Sequence, residues 1–237
     1  MVDILANKLP RPQQHPALRA KPGDSIVVLG LGRFGSAVAS ELTRLGHDVL
    51  GIDELEAPVQ EYATAITYAV QADITNIEAL KQLGVNEISH AVVAVSSDLE
   101  SSILATAALS ELGVEVIWAK ATNKQHGRIL QQVGAHHVVY PEHDMGHQVA
   151  HMVGGRILDW LQLDDGFALV ETVVPEALVG KRLADIDVHS KHNVSIVCAK
   201  RGSETYNYAT GDTVLHEGDL LVVAGFTEAT EAFARLA

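Results

Sequence analysis

The sequence predicts an α/β protein in which a doubly wound parallel sheet is followed by a crossover helix and a small α+β domain. Between residues 25 and 140, short apolar stretches alternate with amphipathic segments, which indicates six strands and the helices that connect them. After residue 161 this alternation stops, and shorter strands with turn residues between them follow. We therefore expect one large domain and one small domain.

A glycine-rich turn follows the first predicted strand. The segment Gly30-Leu-Gly32-Arg33-Phe34-Gly35 lies between an apolar strand that begins at Ser25 and a helix that ends near Leu45. In such a segment the first glycine permits a sharp turn, the second lets a diphosphate approach the backbone, and the third lets the helix pack closely on the strand. The unpaired N–H groups at the helix N-terminus favour anions. The residues expected to contact a nucleotide are Gly30, Gly32, Arg33, Phe34 and Gly35.

An acidic residue ends the second predicted strand. Asp53 follows the glycine turn by about twenty residues, the spacing at which a carboxylate accepts hydrogen bonds from a ribose 2′-hydroxyl and disfavours a 2′-phosphate. The alternative is a structural turn with an acid in a loop. Together with the glycine turn, the pattern favours a Rossmann-like strand order, 3-2-1-4-5-6, with the site at the carboxyl ends of strands one and four.

Four further candidates fall at the carboxyl ends of predicted strands. Asp73, after the third strand, either contacts an adenine or closes a turn. Ser96 and Ser97, after the fourth strand, either line the phosphate side of the site or, with Asp98, cap the next helix. Lys120 ends the fifth strand, and the alternative for this residue is a solvated lysine.

The charge of the chain argues against nucleic acid as a partner. Its 17 basic and 30 acidic residues give a net charge of −13, which would repel a phosphate backbone. No apolar run approaches the roughly 18 residues of a membrane span, and the N-terminus lacks the apolar core of a signal peptide. We therefore expect a soluble, cytoplasmic protein. The single cysteine, Cys198, excludes an internal disulfide and is expected to be a buried structural thiol.

Four segments are expected along the chain. Residues 1–22 carry four prolines and are expected to form a mobile tail. Residues 23–143 would form the nucleotide-binding domain, residues 144–160 the crossover helix, because their apolar spacing is helical, and residues 161–237 the C-terminal domain. The C-terminal segment has no cluster of histidine, aspartate, serine or lysine that suggests catalysis. We therefore do not expect an enzyme.

Four segments together resemble a known family. They are the glycine turn, residues 117–121, residues 133–146 and the pair Gly218-Asp219 before the last strand. They are similar to the cytosolic regulators of Ktr/Trk-type potassium uptake, which are built from a domain that regulates K⁺ conductance, the RCK domain. The resemblance covers the chain after the tail. It is most specific where Pro141-Glu-His-Asp-Met-Gly146 occurs together with the glycine turn.

The resemblance implies a regulatory function. Such proteins are homodimers that assemble into an octameric ring beneath a membrane subunit that translocates K⁺, so they lie in the cytoplasm on the inner face of the cell membrane. In Ktr-type members ATP favours the active ring and ADP the inactive one, whereas some Trk-type relatives bind NAD(H). The implied cofactors are ATP/ADP with Mg²⁺ or Ca²⁺, and NAD(H) is the alternative nucleotide.

Two residue roles come from the resemblance. Arg33 would contact the γ-phosphate of ATP; from the residues alone, the alternative is a surface arginine paired with Glu41 or Glu54. Glu142 would share Mg²⁺ or Ca²⁺ with its mate across the dimer interface, since two adjacent carboxylates repel without a cation. From the residues alone, Glu142 would be an acid stabilised by the helix dipole.

The chain departs from the family pattern in two places. His143, His147 and His151 repeat at intervals of four residues on one helical face, where they either share Zn²⁺ or Ni²⁺ or remain solvated or interface histidines. His189 stands where we would expect an arginine if cyclic di-AMP were bound in the C-terminal domain, which argues against that ligand.

Two other functions are alternatives. An NAD-dependent oxidoreductase or an NAD(H)-reading redox sensor would also suit Asp53, but an oxidoreductase needs an acid–base residue that faces the nicotinamide. A redox-responsive DNA-binding repressor would need a basic helix-turn-helix, which neither the tail nor the acidic charge balance supplies.

Overall fold

A computed structural model describes residues 20–21, 23–95, 98–164 and 166–236. The chain divides into two compact units, of which the first ends at Pro141 and the second begins at Glu142. Most of the predicted tail, together with Ser96 and Ser97, lies outside the described residues. In the described part of the chain, every helix falls short of the length and apolar character that a membrane span requires.

The N-terminal unit is a six-stranded parallel sheet with helices between its strands. The strand order is β3-β2-β1-β4-β5-β6, which confirms the predicted Rossmann-like topology. The strands are β1 (Ser25–Leu29), β2 (Asp48–Asp53), β3 (Tyr68–Gln71), β4 (His90–Val93), β5 (Val116–Lys120) and β6 (His137–Val139). The helices are α1 (Arg33–Arg44), α2 (Glu56–Tyr62), α3 (Ile77–Gln82), α4 (Leu99–Glu111) and α5 (Lys124–Gln132), with a 3₁₀ turn at Val85–Glu87.

Strand β1 lies at the centre of this sheet, between β2 and β4. Val27 and Leu29 pack into one apolar cluster, whereas Val28 packs into another, because successive side chains of a strand point to opposite faces. All three residues are fully buried, as expected for a strand covered by helices on both faces. The chain turns in opposite directions from β1 and β4, so the carboxyl ends of these strands border the crevice where such folds bind ligands.

The C-terminal unit is built on a five-stranded antiparallel sheet in the order β10-β9-β11-β8-β7. Its strands are β7 (Ile157–Asp164), β8 (Phe167–Val173), β9 (Val194–Lys200), β10 (Asn207–Tyr208) and β11 (Leu220–Phe226). Helix α6 (Pro141–Val153) begins at the last residue of the N-terminal unit and continues in the C-terminal unit. The other helices of this unit are α7 (Leu183–Ile186), α8 (Val188–His192) and α9 (Thr227–Ala234), with a 3₁₀ turn at Glu176–Leu178. Cys198, on β9, is half-buried rather than fully buried, which corrects the prediction.

The prediction of one helix over residues 144–160 is wrong at its C-terminal end. Helix α6 begins at Pro141 and ends at Val153, before the pair Gly154-Gly155, and the chain then continues as strand β7. Ile157 and Trp160 are 5% and 6% exposed because β7 pairs with β8 and turns these two side chains into the core of the unit. The apolar spacing that suggested a longer helix is therefore satisfied by an irregular strand. Its register shifts between Ile157 and Asp159.

Candidate nucleotide-binding site

The glycine turn links β1 to α1 in a geometry that two of its glycines require. Gly30 has φ = +92°, and its N–H donates a 2.7 Å hydrogen bond to the carbonyl of Ile52. A Cβ at Gly35 would lie 1.8 Å from the carbonyl oxygen of Gly30 and 2.8 Å from Cβ of Ala94. Gly30 therefore permits the sharp turn, and Gly35 lets α1 pack against the turn and against the segment after β4.

The N-terminus of α1 is open where a phosphate would approach. Gly32 is the N-cap residue, and among the described residues no side chain caps this end and no acid occupies its first turn. By contrast, α3, α4 and α5 are capped by the side chains of Asn76, Asp98 and Asn123. A Cβ at Gly32 would meet no described atom within 4 Å. The first N–H groups of α1 are therefore available to an anion.

Asp53 is fixed beside this turn by two backbone hydrogen bonds. Its Oδ2 accepts a hydrogen bond from the N–H of Leu31 at 2.7 Å, and its Oδ1 accepts one from the N–H of Leu55 at 2.9 Å. The carboxylate is half-buried, and each of its oxygens retains a lone pair after these bonds. Asp53 can therefore hold the turn and still accept hydrogen bonds from the hydroxyl groups of a ribose.

Arg33 is exposed at the first position of α1. In the described part of the chain it has no ion pair or hydrogen bond, whereas Glu41 is paired with Arg44 through nitrogen–oxygen distances of 2.8 and 2.5 Å. The alternative in which Arg33 pairs with Glu41 is therefore not observed. The guanidinium remains available to a ligand phosphate.

Phe34 and Lys120 lie together next to the turn. Phe34 is half-buried, and Nζ of Lys120 is 5.5 Å from the centre of its ring. Lys120 is only 7% exposed, so the alternative of a solvated lysine is wrong. This cation–π contact places a buried positive charge at the carboxyl end of β5. The sequence reasoning selected both residues but did not anticipate their contact, because it depends on how α1 packs over the sheet.

Asp73 closes a turn after β3. Its Oδ1 accepts hydrogen bonds from the N–H and the hydroxyl of Thr75 at 2.8 and 2.7 Å, and these bonds lower the pKa of Asp73. Asp73 also borders an open cleft of about 420 Å³ that Glu54, Gln71 and Ala72 line. The predicted contact with an adenine stays a prediction. Glu54 and Gln71, which line this cleft, were not among the site residues predicted from the sequence. Their position as polar residues next to strand ends was the available signal.

Asp98 caps helix α4, as the sequence alternative anticipated. Its carboxylate accepts a hydrogen bond from the N–H of Glu100 at 3.0 Å and one from the hydroxyl of Ser101 at 2.5 Å. The bond from Ser101 is the main reason why the pKa of Asp98 is lowered. Ser96 and Ser97 lie outside the described residues, so their predicted phosphate contacts stay predictions.

Helix α6 carries the predicted metal residue and three histidines. Glu142 is exposed in its first turn. The rings of His143 and His147 lie 4.5 Å apart, whereas His151 stacks on Trp160 and its Nδ1 is 3.0 Å from Glu231. Within the described ranges, no group of three or more histidine, cysteine, aspartate or glutamate side chains could hold a metal ion. The three histidines therefore do not converge on one point.

Comparison with known proteins identifies both units. The family model for the TrkA-N domain matches residues 26–141, and that for the TrkA-C domain matches residues 168–237. Ktr system potassium uptake protein C of Bacillus subtilis is 40% identical over 199 residues, which cover 84% of this chain and 90% of that protein. Ktr system potassium uptake protein A of Vibrio alginolyticus is 38% identical over 207 residues, which cover 86% of this chain and 94% of that protein.

Solved structures show the same fold. The GsuK RCK domain aligns with a TM-score of 0.63 at 19% identity, over 94% of this chain and 51% of that one. The GsuK channel bound to NAD aligns with a TM-score of 0.50 at 26% identity, over 91% of this chain and 38% of that one. This chain thus spans about half of the first of these structures and less of the second. The chain belongs to the family of Ktr/Trk potassium-uptake regulatory-type proteins and contains a TrkA-N domain and a TrkA-C domain.

Proposed function

We propose that this protein is a cytoplasmic gating subunit that binds ATP or ADP at the glycine turn and thereby controls a membrane subunit that translocates K⁺. The observation that carries the proposal is the open N-terminus of α1 beside the fixed carboxylate of Asp53. The names of the Ktr relatives support the link to potassium uptake. The subunit would act as a homodimer that assembles into an octameric ring at the inner face of the cell membrane.

Different residues at and beside the turn would contact different parts of the nucleotide. The N–H groups at the start of α1 would bind phosphate, Asp53 would orient the ribose, and Arg33 would bind the terminal phosphate. ADP would use the first two of these contacts, and only ATP would use the third. Arg33 is therefore the residue through which the two nucleotides would be distinguished.

Control of the membrane subunit needs no covalent chemistry. A nucleotide that bound two ring conformations equally well would leave their equilibrium unchanged, however tightly it bound. ATP must therefore bind the active ring more tightly than the inactive one, and an extra contact to Arg33 in one conformation would supply that difference. Such couplings are typically about 1–3 kcal/mol.

A divalent cation belongs to the same proposal. Glu142 would bind Mg²⁺ or Ca²⁺ together with its mate in a second subunit, as the resemblance implies, because two carboxylates are suitable ligands for a hard cation. If so, ATP affinity should depend on the divalent ion, and Glu142→Gln should remove that dependence. ATP affinity that is indifferent to divalent ions in the unaltered protein would contradict this role.

The decisive experiment is calorimetric titration of the full chain with ATP, ADP, NADH and NAD⁺, each with and without Mg²⁺. We expect tight binding of ATP and ADP. Arg33→Gln should weaken ATP binding about tenfold to a hundredfold, the range for a lost charge-assisted hydrogen bond, and should leave ADP binding nearly unchanged. Arg44→Gln is the matched control on the same helix, since Arg44 is paired with Glu41. Equal loss of ATP and ADP binding in Arg33→Gln would contradict a γ-phosphate contact.

A second candidate function is an NAD(H)-reading regulator. It is favoured by the NAD-bound GsuK channel, to which this chain is 26% identical, and by Asp53, which suits NAD as well as ATP. In this case NADH or NAD⁺ would bind more tightly than ATP in the same titration, and Mg²⁺ would have no effect. Turnover of NADH with small carbonyl compounds would instead indicate an oxidoreductase.

A further inference from the structure

A small cavity lies in the C-terminal unit, between the end of helix α6 and helix α9. Its volume is about 80 Å³, and its polar lining side chains are His151, Arg156, Glu231 and Arg235. Gly155 forms another part of the wall, and a Cβ at this position would meet no described atom within 4 Å. One water molecule needs about 10–15 Å³ of such a cavity, so there is room for roughly five to eight non-hydrogen atoms. The cavity can therefore hold a small ion but not a nucleoside.

Glu231, the acid that lines this cavity, already has partners for its carboxylate. Its Oε1 is 3.0 Å from Nδ1 of His151, and its Oε2 accepts a hydrogen bond from Nη2 of Arg235 at 3.2 Å. The ring of His151 stacks on Trp160, with ring centres 4.3 Å apart, which fixes its orientation. Both oxygens of Glu231 are therefore engaged within the wall of the cavity.

The two arginines of the wall keep hydrogen-bond donors for a ligand. Across the part of the chain that the structure describes, Arg156 makes one hydrogen bond, which its backbone carbonyl accepts from the hydroxyl of Thr172, so its guanidinium is unpaired. Arg235 uses only one of its five donors for Glu231. Two arginines and one glutamate give this wall a charge of +1, in a chain whose net charge is −13. The cavity is therefore a local site of attraction for an anion.

Two backbone N–H groups add to these donors. Gly155 and Arg156 lie between the end of α6 and the start of β7, and neither N–H has a hydrogen-bond partner among the described residues. The N–H of Gly154, by contrast, donates to the carbonyl of Ala150 at 3.0 Å. Successive unpaired N–H groups of the backbone are a recurrent feature of anion sites. Donors from the backbone and from two guanidinium groups thus border one small cavity.

We propose that this cavity binds a phosphate group. A phosphate has five non-hydrogen atoms, which fits the available volume, and its four oxygens can accept hydrogen bonds from several directions at once. Arg156 and Arg235 each present a planar pair of donors, the geometry that phosphate oxygens accept. A bound phosphate would connect the end of α6 to α9. The site lies wholly in the C-terminal unit, so the proposal goes beyond the proposed function and does not depend on it.

Phosphate titration of the full chain tests this proposal. Trp118→Phe leaves Trp160 as the only tryptophan, and its contact with His151 makes it a reporter of the cavity. Inorganic phosphate is added up to about 10 mM, enough to saturate a site with a Kd of about 1 mM, with chloride keeping the ionic strength constant. We expect a saturable change in Trp160 fluorescence and a matching heat signal in calorimetry of the unaltered chain. Absence of saturable binding in both measurements would overturn the proposal.

Variants of Arg156 locate the bound phosphate. In the Trp118→Phe background, Arg156→Gln should weaken phosphate binding at least about tenfold, because a charge-assisted hydrogen bond is lost, and Arg156→Lys should restore part of the affinity. Arg182→Gln is the matched control in the same unit, since Arg182 is paired with Asp185 at 3.1 Å and does not line the cavity. Unchanged binding in Arg156→Gln, or an equal loss in Arg182→Gln, would mean that phosphate does not bind in this cavity.

Two other anions define the ligand more closely. Glycerol phosphate should bind as inorganic phosphate does if the site accepts a phosphate carried on a small ester, whereas a response to inorganic phosphate alone would identify the free ion as the ligand. Both results support the proposal. Acetate is the control, because a carboxylate offers only two oxygens and should bind at least about tenfold more weakly than phosphate. Equal affinity for acetate would overturn the assignment to phosphate.

Discussion

Asp53 and Asp219 are both motif aspartates, but the two units use them in opposite ways. Asp219 is 2% exposed, and its oxygens accept hydrogen bonds from Nε and Nη2 of Arg201 at 3.1 and 3.2 Å and from the N–H of His216 at 3.0 Å. Asp53 is half-buried, and each of its oxygens accepts one backbone hydrogen bond. The carboxylate of Asp219 is therefore closed to ligands, whereas Asp53 keeps acceptor capacity beside an open helix end.

The difference shows why a motif residue must be judged by its unused hydrogen-bonding capacity. A buried acid whose oxygens are occupied stabilises the fold that surrounds it. An acid that shares its oxygens with the backbone and remains at the surface can serve both the fold and a ligand. Substitutions that separate stability from nucleotide binding test this difference between the two carboxylates.

The largest effect is expected for Gly35→Ala. The added Cβ would lie 1.8 Å from the carbonyl oxygen of Gly30, a backbone atom that cannot move without opening the turn. We expect a loss of about 3 kcal/mol in the free energy of unfolding of the N-terminal unit, together with loss of nucleotide binding. Urea unfolding and calorimetric titration provide the two measurements.

Gly32→Ala is the matched control for that substitution. Its Cβ would meet no described atom within 4 Å, and φ is −65°, which any residue adopts. Stability should fall by less than about 1 kcal/mol, the cost of a poorer N-cap, while nucleotide affinity falls because a methyl group occupies the phosphate approach. If Gly32→Ala binds ATP as tightly as the unaltered protein, the phosphate does not lie at this helix end.

Substitution of either aspartate by asparagine should have a smaller effect, and the two substitutions should change different properties. Asp219→Asn should destabilise the C-terminal unit by about 2 kcal/mol, because it removes the charge that pairs with Arg201; the value is reduced because Arg201 is itself half-exposed. Asp53→Asn should cost only about 1 kcal/mol of stability but should weaken nucleotide binding about tenfold. Urea unfolding and titration of both variants check this. Similar losses of stability in the two variants would contradict the distinction between a closed and an open carboxylate.

The sequence was sufficient to predict those features that depend on residues close together in the chain. The strand order and the place of Asp53 followed from a short fingerprint, because the tight turn and the strand end lie within one βαβ unit. The partner of Asp219 was not predictable, since Arg201 lies eighteen residues earlier in another loop. The burial of Lys120 was missed for the same reason, because it depends on contacts that the packing of the sheet creates.

The end of α6 could not be predicted for a different physical reason. Apolar residues at 157, 160 and 161 fit one face of a helix as well as they fit an irregular strand. The pairing of β7 with β8 decides between helix and strand, because it buries Ile157 and Trp160 in a sheet. The other strands of that sheet lie outside this local stretch of sequence. The pair Gly154-Gly155 was the available signal for the end of the helix.

The smallest expected effect is that of low pH on the stability of the N-terminal unit. Burial lowers the pKa of His126 and of His137, and His136 adds to the effect at His137. An unfolded chain binds protons on these imidazoles near pH 6.5, before the folded unit does. Their contribution to stability is therefore complete above about pH 6.5 and is lost as the pH falls through the lower, folded pKa, at no more than about 1.4 kcal/mol per pH unit for each histidine.

The C-terminal unit should respond in a lower pH window. Burial tends to raise the pKa of Asp219, but the hydrogen bonds from Arg201 and His216 outweigh it and hold the pKa below its usual range. Its stabilising effect is therefore present above about pH 4 and is lost only in stronger acid. As the pH falls from 7.5 to 5.5, the free energy of unfolding of the N-terminal unit should decrease while that of the C-terminal unit stays nearly constant.

Each unit contains one tryptophan that can report this difference. Trp118 lies in the N-terminal unit, where it stacks on His137 with ring centres 4.2 Å apart, and Trp160 lies in the C-terminal unit. Urea unfolding of Trp160→Phe, followed by fluorescence, should show a midpoint that falls with pH, and that of Trp118→Phe should not. A parallel fall in both variants would mean that the acid response is shared by the whole chain, and the buried imidazoles would then not be its source.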